Sequence, residues 1–303
     1  MTTVAAPPRK APSRFREIAT RTWANPSGKL ALSMLALLVL AAVFAPLLAG
    51  QDPAVQKLSA TNDPPSWLGG IGGHPLGADN LGRDVLSRIL HGLRLSLAVG
   101  ALTATAGAVL GLALGLLAGY YERSVGAVLL RLADIQFSIP FVAVGIALAA
   151  VLGPGIGRLM VVLALWGWPI YARTIVTTVA QTCRLDYVTA ARTMGAHPFG
   201  LLLRHVAPNI LGQVIVLWST TAGALVLAES SLSLLGLGVQ PPGFSLGSML
   251  ADAPTSLRLS WWATVFPGVA LLLIVLAFNM LGDAVRDALE PGTHRAPHDP
   301  DLT

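Results

Sequence analysis

The stretch Leu95–Tyr121, LSLAVGALTATAGAVLGLALGLLAGYY, contains no Asp, Glu, Lys or Arg. Because an α-helix rises 1.5 Å per residue, about 20 apolar residues are enough to cross a 30 Å hydrocarbon core. Gly107, Gly111, Gly115 and Gly119 recur at every fourth position, so they fall on one face of such a helix. Small-residue stripes of this kind allow two helices to pack closely in lipid. The stretch therefore predicts a membrane-spanning helix that is buried in a bundle.

Further segments of the chain have the same apolar character. Four more charge-free runs are long enough to span, namely Leu30–Gln51, Ile135–Gly157, His205–Ala228 and Leu259–Gly282. Residues 159–180 are apolar apart from Arg173, whose long side chain can reach the interface from near one end of a span. Only 12% of the 303 residues are charged, against about 25% in a soluble domain. We therefore predict an all-α membrane protein with six transmembrane helices.

The distribution of basic residues predicts the orientation of these spans. With the N-terminus in the cytoplasm, the cytoplasmic segments hold 14 Lys and Arg residues and the external segments hold 6. This asymmetry follows the positive-inside rule. Both termini and residues 181–209 then face the cytoplasm. Since the basic residues cluster beside spans, membrane orientation explains the net charge of +5, and we predict no nucleic-acid partner.

Composition divides the chain into four parts. Residues 1–29 are a basic cytoplasmic tail, of which residues 1–22 are expected to be disordered or to lie on anionic membrane lipid. Residues 30–94 comprise the first span, an external loop rich in Pro and Gly, and a short interfacial helix that leads into the second span. Residues 95–284 hold the other five spans, with residues 181–209 as a cytosolic loop. Residues 285–303 form a polar cytoplasmic tail.

The cytosolic loop contains LDYVTAARTMGAHPFGLLLRHVAPN at residues 185–209, and it predicts a short amphipathic helix. One helical face is apolar and the other sides are polar. The apolar face holds Tyr187, Ala190, Ala191 and Met194, and the polar sides hold Arg184, Asp186 and Thr189. Gly195 is placed to end the helix with a positive φ, and Pro198 prevents its continuation. The face suits either a groove on a partner or packing against the protein's own spans, and periodicity favours neither.

A few ionisable or polar residues lie within the apolar runs or close to them. Asp134 is near the inner end of its span, where it either pairs with Arg131 three residues earlier or acts in transport. Glu229 either lines a polar path or bonds a neighbouring helix. Ser230 and Asn279 are further candidates for the translocation path or for helix packing.

The sequence predicts no catalytic residue, no metal site and no cofactor bound by this chain. Ser27-Gly28-Lys29 lacks the spacing of a phosphate-binding loop, because Trp23 stands where the first glycine is needed and Leu30 replaces Ser or Thr. The six histidines have no metal-ligand spacing except His294 and His298, four residues apart in the tail.

Several motifs resemble those of bacterial ABC importer permeases. Thr189-Ala190-Ala191, Gly195 and Pro208 match the spacing of that family's Glu-Ala-Ala…Gly…Ile-x-Leu-Pro loop, although Thr189 replaces the usual Glu. His205 and Ala207 also replace the Ile and Leu of the pattern. Four further segments resemble the dipeptide/oligopeptide/nickel-type subfamily and its "C" subunit, namely residues 74–84, 134–140, 229–242 and 279–291.

This resemblance implies a type I ABC importer permease fold, with residues 95–284 as the core permease domain in the bacterial inner membrane. It implies that residues Arg184–Gly195 form a coupling helix which docks on an ATPase, with Pro208 closing the motif. The implied partners are a homologous second permease, two ATPase subunits or one fused ATPase, and an external substrate-binding protein. ATP and Mg would be bound by the ATPase subunits.

Peptide is the cargo that the resemblance favours, with nickel chelates, haem and other small solutes as alternatives. A stand-alone secondary transporter or channel is the alternative from a different class. Such proteins usually carry ionisable residues at mid-membrane or half-helix breaks. The charge-free runs contain no such residue at mid-depth.

Overall fold

The computed structural model describes residues 14–70, 73–153, 155–241, 243–252 and 259–289. Within these ranges the regular structure is helical and no β-strand occurs. The helices are α1 (Arg14–Ala24), α2 (Pro26–Val43), α3 (Ala45–Leu48), α4 (Val85–Tyr120), α5 (Ala127–Ser138), α6 (Phe141–Leu152), α7 (Ile156–Thr182), α8 (Asp186–Thr193), α9 (Pro198–Leu201), α10 (Ala207–Leu234), α11 (Leu246–Asp252) and α12 (Trp262–Leu289). The N-terminal tail, predicted to be disordered or lipid-bound, is therefore helical from Arg14 onward.

The membrane-spanning character of the chain is confirmed by the lengths of these helices. Among the described residues, five helical stretches are long and apolar enough to cross a bilayer: α2, α4, α7, the continuous stretch Pro198–Leu234, and α12. A sixth crossing is counted if the bent pair of α5 and α6 forms one span. The six predicted spans thus correspond to five helical stretches and, counted as one span, the bent pair.

The second span is longer than the sequence predicted. α4 contains 36 residues, so the expected interfacial helix and the span are one continuous helix, and the predicted boundary at residue 94/95 lies inside it. Asp84 is the N-cap, and its carboxylate accepts a hydrogen bond from the backbone N–H of Ser87 at 2.8 Å. Leu81 lies before this N-cap and is not part of α4. No proline interrupts residues 85–120, which is consistent with one continuous helix that begins after the cap at Asp84.

The glycine stripe of α4 packs against α7, as the sequence predicted. A Cβ added at Gly111 would lie 2.6 Å from the carbonyl oxygen of Trp168 and from the Cβ of Tyr171. A Cβ at Gly115 would lie 2.6 Å from the side chain of Ile175. Two helices in lipid gain no hydrophobic drive from burial, so this close backbone approach provides the packing energy.

The third predicted span is broken rather than kinked. α5 ends at Ser138 and α6 begins at Phe141, and the two axes meet at an angle of 88°. Pro140 is the N-cap of α6, and Ile139 before it has an extended backbone. A residue that precedes proline is driven out of the helical region, which explains why the helix stops there.

The two ends of the bundle carry different structures. At the N-terminal end of α4, the loop before the helix contacts α11 and the start of α12, and Trp262 Nε1 donates to the carbonyl of Ala78 at 3.0 Å. At the C-terminal end of α4, Tyr120 packs against the cluster formed by α8 and α9. A helix of 36 residues is about 54 Å long, so these two ends lie on opposite sides of a bilayer.

Candidate functional site

The amphipathic segment forms α8, which is shorter than predicted and divides its apolar residues between two sides. Val188 and Ala191 are buried and pack with Leu201 in a small cluster against the chain itself. Tyr187 and Met194 are exposed at 46% and 81%. The face predicted as one unit therefore has Ala191 turned inward, while Tyr187, Ala190 and Met194 remain outward. Packing against the chain itself therefore accounts for one part of the helix, and the other part is left exposed.

Gly195 ends α8 in the way that its sequence position predicted. Its φ is +85°, in the left-handed region that favours glycine. The N–H of Ala196 donates to the carbonyl of Ala191 at 3.1 Å, and the N–H of Gly195 donates to the carbonyl of Arg192 at 3.0 Å. This pair of bonds is a Schellman motif, which satisfies two carbonyls at the end of the helix.

Polar contacts hold α8 to the membrane helices beside it. The Asn209 side-chain amide donates to the Tyr187 hydroxyl at 2.6 Å, which connects α8 to the first turn of α10. The Arg192 guanidinium lies 5.5 Å from the centre of the Tyr120 ring at the end of α4. Arg184 lies 3.4 Å from Glu122 in an exposed ion pair. α8 is thus in contact with both α4 and α10.

The remaining residues of the predicted motif lie around α8. Asp186 is exposed in its first turn, where a carboxylate interacts favourably with the helix dipole. Thr189 is exposed beside Ala190. Pro208 is exposed in the first turn of α10, directly after a π-helical turn at Leu202–Val206. The loop motif therefore extends from α8 into the start of a transmembrane helix.

Asp134 does not use the partner that its spacing suggested. Its carboxylate lies 2.9 Å from Arg173 on α7, so the pairing with Arg131 is wrong. Arg173 is also the charge that interrupts the fourth span, and both side chains are about half exposed. The ion pair neutralises two charges that would each be costly alone within a span.

Glu229, Ser230 and Asn279 are the other candidates for the translocation path or for helix packing, and their surroundings differ. Glu229 is fully buried near the end of α10, where Ser233 and Ser245 each donate to its carboxylate at 2.7 Å and Ser230 donates at 3.4 Å. Since Ser245 precedes α11, the carboxylate connects α10 to the segment after it. Asn279 is exposed on α12, on the side that faces Gly223 of α10.

A cluster of charges at the opposite end of the bundle was not among the predicted site residues. Asp79 accepts hydrogen bonds from Arg83 Nε at 2.7 Å and from Arg88 Nη1 at shorter range. Asp252 on α11 lies 3.1 Å from Arg83 and 3.4 Å from Arg88. The close spacing of Asp79, Arg83 and Arg88 was a signal in the sequence, but 169 residues separate Asp252 from Arg83.

A second buried polar pair adjoins this cluster. His74 is 1% exposed, and its Nδ1 lies 3.0 Å from the carboxylate of Asp84, which also caps α4. Within the part of the chain that the structure describes, no group of three or more His, Cys, Asp or Glu could hold a metal. His294 and His298 lie outside that part.

Long apolar helices around a glycine-lined contact, with a polar helix held at one end, define a multi-pass integral membrane protein. Residues 111–295 match the family model of the binding-protein-dependent transport system inner membrane component. Residues 13–65 match the N-terminal TM domain of oligopeptide transport permease C.

Three named relatives cover between 72% and 92% of the chain. It is 39% identical over 282 residues to the di/tripeptide transport system permease protein DppC of Pseudomonas aeruginosa, covering 92% of this chain and 93% of that protein. It is 38% identical over 268 residues to the dipeptide transport system permease protein DppC of Escherichia coli K12, covering 88% of this chain and 89% of that protein. It is 40% identical over 218 residues to the glutathione transport system permease protein GsiD of Pectobacterium atrosepticum, covering 72% of each.

The protein is therefore a permease subunit of an ABC importer. It belongs to the family of binding-protein-dependent transport system inner membrane components.

Proposed function

We propose that this chain is one permease half of an ATP-driven importer for di- and oligopeptides. A homologous second permease completes the path, and two ATPase subunits or one fused ATPase supply the energy from the cytoplasm. The observation that carries this proposal is α8, which is anchored to α4 and α10 yet leaves Tyr187, Ala190 and Met194 exposed. A short helix with an apolar outer side suits a groove on a partner protein.

The mechanism that we propose is a two-state movement of the membrane helices driven from outside the membrane. ATP closes the ATPase dimer, and α8 moves with the groove that holds it. Because α8 is bonded to α10 through Asn209 and contacts α4 through Tyr120, its movement displaces both helices. ATP shifts the equilibrium between inward-open and outward-open states by binding one of them more tightly.

The orientation in this proposal places both termini and α8 in the cytoplasm. The excess of 14 basic residues over 6 on that side supports it. The end with Asp79, Arg83 and Asp252 then faces an external substrate-binding protein. ATP and Mg are bound by the ATPase, since this chain lacks the spacing of a phosphate-binding loop.

Peptide is the proposed cargo because two relatives that cover 92% and 88% of this chain are named for di/tripeptide or dipeptide transport. Nickel chelates, haem or other small solutes are the alternatives within the same mechanism. The binding protein, a separate chain, is expected to select among them.

Co-expression with the ATPase and second-permease subunits of the same organism tests the proposal. The wild-type chain should retain the ATPase through purification and should support ATP-driven uptake of a labelled dipeptide in proteoliposomes with the binding protein. Met194→Asp places a charge on the exposed side of α8 and should release the ATPase. Leu58→Asp is the matched control, because Leu58 is 76% exposed at the other end of the bundle. Retention of the ATPase and full uptake by Met194→Asp would contradict the role of α8.

A further inference from the structure

The two carboxylates in the external charge cluster are held with different strength. Asp79 is buried and receives hydrogen bonds from both arginines, one at 2.7 Å and one shorter. Asp252 is half exposed, and its distances to Arg83 and Arg88 are 3.1 and 3.4 Å. Charge-assisted bonds between guanidinium and carboxylate are normally about 2.7–2.9 Å long. The two guanidinium groups therefore have one firmly bound carboxylate and one loosely bound carboxylate.

Arg88 retains a donor that the described residues do not use. It is 3% exposed, and its Nε is buried without a hydrogen-bond partner among those residues. Its guanidinium lies 5.2 Å from the centre of the Phe244 ring, which holds the group in place by cation–π contact. A buried N–H group without an acceptor destabilises its site, so an additional acceptor there is favourable.

A cavity of about 520 Å³ adjoins both arginines and Asp252. Its wall also includes Phe244, Val239 and Gln240. Small-molecule sites in proteins usually enclose about 300–1,000 Å³ and combine apolar walls with a few polar groups. The size and the mixed wall of this cavity suit a peptide of two or three residues.

We propose that Asp252 occupies a carboxylate-binding site, and that the C-terminal carboxylate of an incoming short peptide replaces it on Arg83 and Arg88. The inference rests on the proposed function, since it takes a peptide as the cargo. Exchange of one carboxylate for another keeps the charge of the cluster constant, so no unpaired charge is buried when the peptide enters. The apolar wall around Phe244 then contacts the side chains of the peptide.

The exchange also explains why one carboxylate is held loosely. A transport site must bind its cargo well enough to receive it and weakly enough to release it. Asp252 competes for the arginines at all times, so it lowers the affinity for the peptide and promotes release. Asp79 remains bound and keeps both guanidinium groups in position.

Equilibrium dialysis against the assembled permease–ATPase complex in nanodiscs, without the binding protein, tests this site. The probes are trialanine, trialanine amide and N-acetyl-trialanine, each radiolabelled. The wild-type complex should bind the two probes that carry a free carboxylate more tightly than it binds the amide, by about tenfold. Asp252→Asn, which removes the competing carboxylate and keeps the shape, should tighten trialanine binding several-fold and leave binding of the amide unchanged.

Arg83→Gln removes one of the two guanidinium groups, so it should clearly reduce the preference for the probes that carry a free carboxylate. Arg94→Gln is the matched control, because Arg94 is an exposed arginine of α4 that does not line the cavity, and it should bind as the wild type does. Equal binding of acid and amide by the wild-type complex, or unchanged discrimination in Arg83→Gln, would overturn the carboxylate site. Uptake of trialanine by the complete importer is measured in parallel, so failure of uptake rejects the peptide importer itself and is distinct from failure of the site.

Discussion

The side-chain amide of Gln136 on α5 donates a hydrogen bond at 3.1 Å to the backbone carbonyl of Leu165 on α7. In a regular helix this carbonyl would accept from the N–H of residue 169, but residue 169 is proline and has no N–H. The same amide also donates to the carbonyl of Trp166 at 3.1 Å. A proline inside one helix therefore creates the acceptor that attaches the broken segment of α5 and α6 to the bundle.

A double-mutant cycle tests this relationship. Gln136→Ala should lower the free energy of unfolding by about 1 kcal/mol, since it leaves a carbonyl of α7 without a donor. Pro169→Ala supplies the missing N–H, so the same Gln136→Ala change should cost less in that background, by about 0.5–1 kcal/mol. Unfolding of the purified chain in mixed micelles, at increasing mole fraction of a denaturing detergent, measures each value. Gln181→Ala, at an exposed position near the end of α7, is the control. If the effects of Gln136→Ala and Pro169→Ala are additive, the two residues are not coupled.

The backbone conformation of Gly195 is expected to affect uptake more than the space around its Cα does. A Cβ at Gly195 would meet no atom within 4 Å, but the φ of +85° disfavours every other residue by about 1 kcal/mol. Gly195→Ala and Gly195→Leu should therefore both fray the end of α8 and reduce ATP-driven uptake to a similar extent, while membrane insertion stays normal. Gly200→Ala is the matched control, because its Cβ also meets open space and its φ is not positive. Normal uptake by Gly195→Leu would contradict the coupling role of α8.

The rate of thiol labelling should distinguish a buried position near α8 from an exposed one. Burial raises the pKa of the Cys183 thiol, so at neutral pH it has less thiolate than a free thiol, and its alkylation should be slow. The rate should increase with pH and reach half of its maximum above the pKa of an ordinary thiol. Met194→Cys in a Cys183→Ser background should react rapidly, because Met194 is highly exposed.

The same labelling measures orientation and docking. A membrane-impermeant maleimide should label Met194→Cys in inside-out vesicles and leave it unlabelled in right-side-out vesicles. Bound ATPase should protect it. Labelling from the external side would reverse the proposed topology, and labelling unaffected by the ATPase would place the contact elsewhere.

The carboxylate of Glu229 is expected to stabilise the junction between α10 and the segment that leads to α11. Glu229→Leu removes the acceptor of Ser233 and Ser245 in a buried site, so it should lower the free energy of unfolding by about 1–3 kcal/mol. Glu229→Gln keeps the shape and one acceptor oxygen, and the hydroxyl groups can rotate, so its cost should be below about 1 kcal/mol. Thermal unfolding of the two variants in the same detergent measures the difference. Equal stability of Gln and Leu would show that the hydrogen bonds contribute little.

Local pattern in the sequence was enough to predict the membrane helices, the close packing of the glycine stripe on α4 and the end of α8 at Gly195. Each of these follows from residues that are neighbours along the chain. The presence of a span follows from a charge-free run, and a left-handed cap follows from glycine.

The tertiary structure decided which groups meet. Asp134 pairs with Arg173 on α7, although Arg131 lies within reach along its own helix. Val188 and Ala191 are buried while Ala190 is exposed. The periodicity of α8 had placed Ala190 and Ala191 on the same face. Asp252 joins Arg83 across 169 residues. An ion pair or a buried face depends on which helices pack together, and that is set by the summed contacts of the whole bundle, so no local stretch of sequence contains it.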